Sequence, residues 1–169
     1  VYKSILKRGG ASDINVLKAY TNFLFAAQRI EPGKKLLVEY KKVWSKHMRD
    51  GEKLTGTLTQ EEQQQKDLPY GHGIGIAYFH TVAGQNDLAE QTLTSLIAYQ
   101  PENYGADVEL ARLYMGLKRY KTALRSIGSS YNRGGNKNTG VVVSYASALR
   151  LFDEQQKALQ ILLQHKPND

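Results

Sequence analysis

Small and bulky apolar positions recur along this chain at a spacing in the mid-thirties. Ala89, Ala123 and Ala158 are 34 and 35 residues apart, and a larger aliphatic residue follows each four positions later: Leu93, Ile127 and Leu162. Upstream, at matching offsets, lie Ile76-Ala77, Leu110-Ala111 and Tyr145-Ala146. Gly73, Ile76, Ala77 and His80 share one face of a helix by their i, i+3, i+4, i+7 spacing, and Leu88, Ala89, Thr92, Leu93 and Leu96 stripe a second. Gly84-Gln85-Asn86-Asp87 between them is a turn signal, and Pro101 ends the second helix, since Pro cannot continue one. The pattern predicts helical hairpins over residues 70–103, 104–137 and 139–167. The alanines suit helices that approach to about 8–10 Å, which requires small facing side chains.

A less regular hairpin is expected before these, over residues 16–46. Val16, Tyr20, Phe23, Leu24 and Ala27 give one apolar face, and Leu36, Leu37, Tyr40, Val43 and Trp44 give another. Glu31-Pro32-Gly33 breaks the chain between them, and no Ala stands at the close-contact position. Residues 49–68 interrupt the period and read as an insertion. Within it Thr59 and Glu62 form a capping box, which predicts a short polar helix to about Lys66. Val1–Arg8 reads as the tail of an earlier amphipathic helix, so the chain is expected to be part of a longer protein.

The period and the residues Gly84, Ala89, Pro101, Leu110, Ala111, Tyr114, Tyr120 and Ala123 resemble the tetratricopeptide repeat family. The chain departs from that family's pattern at His80, where Tyr is usual, and at Gly73, where Trp is favoured. The resemblance implies an all-α, right-handed superhelical solenoid of helical hairpins, with the first helix of each lining a concave groove. Carried over residue by residue, the groove positions are Phe25, Gln28 and Arg29; Ile74, Tyr78 and Thr81; Val108, Arg112 and Met115; and Val143, Ser147 and Arg150. Family members that clamp a carboxylate terminus place a polar residue where this chain has Ile74, Val108 and Val143. The resemblance therefore implies a non-catalytic scaffold for an extended peptide or partner helix carrying both acidic and apolar side chains. Self-association through the same groove is an alternative occupancy. Tyr70-Gly71 and the run to residue 127 also look somewhat like the accessory repeat domain of envelope zinc metalloproteases, and repeat regions of exopolysaccharide export machines are comparable. A substrate-recruiting domain of a larger enzyme or export machine is thus the second expectation.

Composition narrows the chemistry. The net charge of +7 is segregated: Lys and Arg outnumber Asp and Glu 12 to 5 in residues 1–53, are outnumbered 8 to one in residues 54–109, and prevail 10 to 3 in residues 110–169. Such asymmetry bears on partner choice rather than fold. With no Cys, disulfides and thiolate metal sites are excluded, and the compartment leans toward the bacterial periplasm without being fixed. No apolar run approaches the roughly 18 residues of a membrane span. HExxH, GxSxG, P-loop and EF-hand patterns are absent, so no catalytic residue, cofactor or metal is expected. His72 and His80 are two helical turns apart, about 12 Å, too far to share an ion. The glycines of Gly71-His72-Gly73-Ile74-Gly75 are expected to allow close approach to the preceding insertion. Tyrosines interleaved with Lys118, Arg119, Lys121 and Arg125 fall on packing positions, which disfavours nucleic acid as partner.

Overall fold

A computed structural model describes residues 13–165 and is all-helical there. Its elements are α1 (Ile14–Ala26), α2 (Ile30–Glu52), α3 (Gln60–Val82), α4 (Asn86–Tyr99), α5 (Gly105–Gly116), α6 (Tyr120–Asn132), a 3-10 turn at Gly135–Lys137, α7 (Thr139–Arg150) and α8 (Gln155–Gln164). The expected helix at Val1–Arg8 lies outside the described residues, as does the end of the 139–167 hairpin.

Side-chain caps set several starts. Asp13 accepts hydrogen bonds from the Asn15 and Val16 amides, and Asn138 accepts one from Val141. Thr59 and Glu62 form the expected capping box, with the Thr59 amide donating to Glu62 Oε2 at 2.8 Å. The helix it opens does not stop near Lys66, however; it runs to Val82 as α3. Pro69 within it supplies no amide for the preceding turn. Packing holds that stretch nonetheless: Pro69 is buried, and the Trp44 indole N–H donates to its carbonyl at 2.7 Å. Of the expected insertion, residues 60–68 are therefore an extension of α3, 49–52 extend α2, and 53–59 link the two helices.

One turn recurs four times. The first helix of each hairpin ends with a left-handed residue: Gln28 (φ 55°), Gly84 (φ 73°), Lys118 (φ 58°) and Asp153 (φ 60°). The amide after each reaches back five residues: Arg29 to Leu24 O and Gln85 to His80 O, Arg119 to Tyr114 O and Glu154 to Leu149 O. This is the Schellman closure, which satisfies orphan carbonyls at a helix end. The last three turns are 34 and 35 residues apart, the spacing of the alanines; the first two are 56 apart.

Counted from these turns, the fifth residue onward is Gly33, Ala89, Ala123 or Ala158, and each is buried. The first hairpin does have a small close-contact residue; it is Gly33, whose Cβ would stand 3.1 Å from the Phe25 ring. The ninth is Leu37, Leu93, Ile127 or Leu162; the first three are buried, whereas Leu162 on the last helix is 43% exposed.

The chain divides into two compact units, one up to Thr92 and one from Leu93, the cut falling within α4. In the first, α1, α2 and α3 pack on one another. Their core includes Leu17, Leu24, Phe25, Leu37, Tyr40, Trp44, Ile76, Ala77 and Phe79. The inner face of α1 differs from expectation: Ile14, Leu17, Thr21, Leu24 and Phe25 are buried, whereas Phe23 and Ala27 are exposed. Glycine spacing also acts differently, because Gly71 faces open space and Gly75 approaches Tyr40 and Lys18, not the insertion. In the second unit Tyr104, Ala111, Ile127, Val141 and Ala148 form one cluster, and Val142, Ala146, Leu149, Ala158 and Ile161 another. Tyr145 packs half-buried against Tyr131, and Tyr120, expected in the core, is exposed.

Candidate interaction surface

The Schellman turns fix the rotational phase of each first helix, so positions counted back from the left-handed residue are equivalent. Ten, six and three residues back are Ile74, Tyr78 and Thr81 on α3, Val108, Arg112 and Met115 on α5, and Val143, Ser147 and Arg150 on α7. On α1 the same positions hold Lys18, Asn22 and Phe25. The first-hairpin expectation was therefore out of register. Gln28 and Arg29 are the turn itself, and Phe25 is buried, stacked on Phe79 with ring centroids 5.5 Å apart. The cause is the missing glycine: a Gln in the left-handed position carries no sequence signal of a turn.

In the first unit, Tyr78 is 61% exposed and its ring meets that of Phe79 at 5.7 Å. Ile74 is half-buried and Thr81 exposed, its hydroxyl donating to the Ala77 carbonyl at 3.0 Å. In the second unit α5 and α7 are neighbours. Val108 packs at the edge of the core, its Cγ2 3.3 Å from where a Gly140 Cβ would stand. Met115 is half-buried, and Val143, Ser147, Arg112 and Arg150 are exposed. Arg112 pairs with Glu109 one turn away, whereas Arg150 forms no ion pair among the described residues. The outcome is an apolar strip of Val108, Met115 and Val143 edged by two arginines.

The ionisable groups with displaced pKa values lie away from this strip. Tyr40 and His72 are buried between α2 and α3, the Tyr40 hydroxyl 2.6 Å from His72 Nδ1. Burial, reinforced by the charges of Lys18 and His47, lowers the His72 pKa to about 4, and burial raises that of Tyr40. His80, buried as expected, has its Nδ1 3.0 Å from Gln85 Oε1; burial lowers its pKa as well. These histidines serve packing.

Sequence reasoning missed a third buried polar group. Asp107 accepts hydrogen bonds from the Ser130 hydroxyl and, at 3.0 Å to each oxygen, from the Arg133 guanidinium. Arg133 also lies over the Tyr104 ring, 5.5 Å from its centroid. A buried carboxylate requires such pairing, so this is a clasp between α5 and α6. Its only sequence signal is a charge at a position occupied by Leu17, Gly73 and Val142 in the other hairpins.

Among the described residues, no three His, Asp or Glu side chains are grouped to hold a metal ion, and no helix is long and apolar enough to cross a membrane. No family model matches the chain, and no curated protein or solved structure is significantly similar to it.

Proposed function

We propose that this chain is a non-catalytic interaction scaffold of tetratricopeptide-like hairpins, binding an extended peptide or partner helix along the open faces of its first helices. The observation that supports this reading most directly is the fourfold recurrence of one closing turn at Gln28, Gly84, Lys118 and Asp153. A recurring turn presents equivalent side chains at equivalent phase, which suits recognition of a linear partner.

The partner's chemistry follows from the strip on α5 and α7. Val108, Met115 and Val143 favour apolar side chains, and Arg112 and Arg150 favour carboxylates, which a guanidinium holds through two parallel hydrogen bonds. The Glu109 pair does not oppose this, because an exposed ion pair is worth about 0–1 kcal/mol and exchanges cheaply. The test is selection of peptides from a random display library with the full chain. Selected peptides are expected to be acidic and apolar, and Arg112→Ala and Arg150→Ala are each expected to weaken them by about 1–3 kcal/mol. Equal affinity for the double variant, with helical content unchanged, would refute the assignment.

A further inference from the structure

The helix α2 is longer than its counterparts: 23 residues against 14, 13 and 10 for α4, α6 and α8. Along its length it bears a charge pattern the other second helices lack. Lys35, Lys42, Lys46 and Arg49 are all exposed, and their spacings of 7, 4 and 3 residues place them within an arc of about 60° along about 21 Å of helix. None of the four forms an ion pair among the described residues, although α2 carries acidic side chains. Glu31 is taken by Lys34 and Asp50 by Lys53, each at 2.9 Å. Glu39 flanks the row without pairing to it. On the opposite side Tyr40, Trp44 and Met48 are buried, and Trp44 is tied to Pro69 of α3. The row therefore stands on an arm of two packed helices.

We propose that this cationic ridge is a second docking surface, for an acidic polypeptide segment. The proposal is independent of the strip on α5 and α7. Charge complementarity sets the sign of the partner. The aromatic residues of α2 are turned inward, with Tyr40 and Trp44 buried, so nothing on the ridge stacks on unpaired bases. Val38, 66% exposed beside Lys35 and Lys42, is the one exposed large apolar side chain of this helix. That is too little to seat the arm in a bilayer interface, which takes a continuous apolar face. It does suit a polypeptide that brings one apolar side chain among its carboxylates.

The test uses the full chain and poly-L-glutamate as probe, with a 20-base-pair DNA duplex and phosphatidylserine vesicles as separate arms. One variant carries Lys35→Gln, Lys42→Gln, Lys46→Gln and Arg49→Gln. A charge-matched control carries Lys118→Gln, Lys121→Gln, Arg125→Gln and Lys137→Gln. The ridge variant is expected to lose at least tenfold in polyglutamate affinity while the control stays within about twofold. Binding should also fall steeply between 50 and 300 mM salt, as exposed charges are screened. Equal losses in both variants would show that binding follows net charge alone. That result overturns the proposal, as does failure of the unsubstituted chain to bind polyglutamate, or tighter ridge-dependent binding of duplex or vesicles. Circular dichroism of both variants guards against misfolding; should the Gln variant unfold, Lys42→Gln with Lys46→Gln gives the same comparison against Lys118→Gln with Lys121→Gln. Peptides selected on Arg112 and Arg150 provide a separate readout, so loss of one surface is distinguishable from loss of the other.

Discussion

Replacing Gly33 by Ala isolates the contact that closes the first hairpin. Gly33 is buried near the start of α2, and an added Cβ would stand 3.1 Å from two atoms of the Phe25 ring and 3.3 Å from a third. The ring has little room to retreat, because Phe79 is stacked behind it at an interplanar angle of 13°. Two terms compete. Ala is favoured over Gly inside a helix by about 0.8–1 kcal/mol, whereas overpacking a tight site costs about 1–3 kcal/mol. Gly71, on α3, meets nothing within 4 Å and so carries only the first term. Gly71→Ala is thus expected to stabilise the chain by about 0.5–1 kcal/mol, and Gly33→Ala to be neutral or to destabilise it by up to about 2 kcal/mol. Urea unfolding followed by circular dichroism, with m values compared, measures both. Combining Gly33→Ala with Phe25→Leu should recover part of the loss, a coupling that a double-mutant cycle reads directly. If Gly33→Ala stabilised the chain as much as Gly71→Ala, with no coupling to Phe25, the close approach would be refuted.

Stability should fall on acidification through His72. Its folded pKa, about 4, lies below its ordinary 6.5, so the unfolded chain binds the extra proton. Stability is full above about pH 6.5 and declines toward pH 4. Lowered in the same direction, His80 adds to the slope. Unfolding measured between pH 4 and 7 should lose about 1–3 kcal/mol, and His72→Gln should flatten that dependence; an unchanged slope would show that other groups govern it. The turns give another check. Gly84→Ala has open space around it, so its left-handed backbone alone should cost about 1–2 kcal/mol in chemical unfolding. Lys118→Gly should cost nothing or raise the melting temperature, and a marked loss would point to a role for the Lys118 side chain.

Legibility in the sequence tracked how conventional each residue was at its task. Ala89, Ala123 and Ala158 announced close contacts because Ala is the commonest small helix former, and all three are buried. Gly33 does the same work but read as a breaker, since glycine beside Pro32 resembles a turn. Gln28 closes α1 in a conformation that glycine signals elsewhere, which shifted the expected surface onto Gln28 and Arg29. The capping-box helix was expected to end near Lys66, yet Trp44 and Tyr40, bonded to Pro69 and His72, hold the chain helical onward from a different segment. That information is tertiary, and no local pattern carries it. The equivalence of Val108, Arg112 and Met115 with Val143, Ser147 and Arg150 was legible because α5 and α7 keep the period undisturbed. The Asp107 clasp depends on a partner 26 residues away in Arg133 and could not be read locally.

The 56-residue step between the first two turns has a geometric meaning. It exceeds 34 by 22 residues. Measured against α4 and α5, nine of these lengthen α2, eleven lengthen α3 and two lengthen the loop that joins them. The extra residues are added at the end of α2 and the start of α3, far from the turns at Gln28 and Gly84. Gly33 stays five residues after its turn and Ile76 eight before its own, so the helix faces they define are set by the turns and not by the length beyond them. Such a pair of helices can grow an arm at its far end while the turns that phase its packing faces stay as they are in the shorter hairpins.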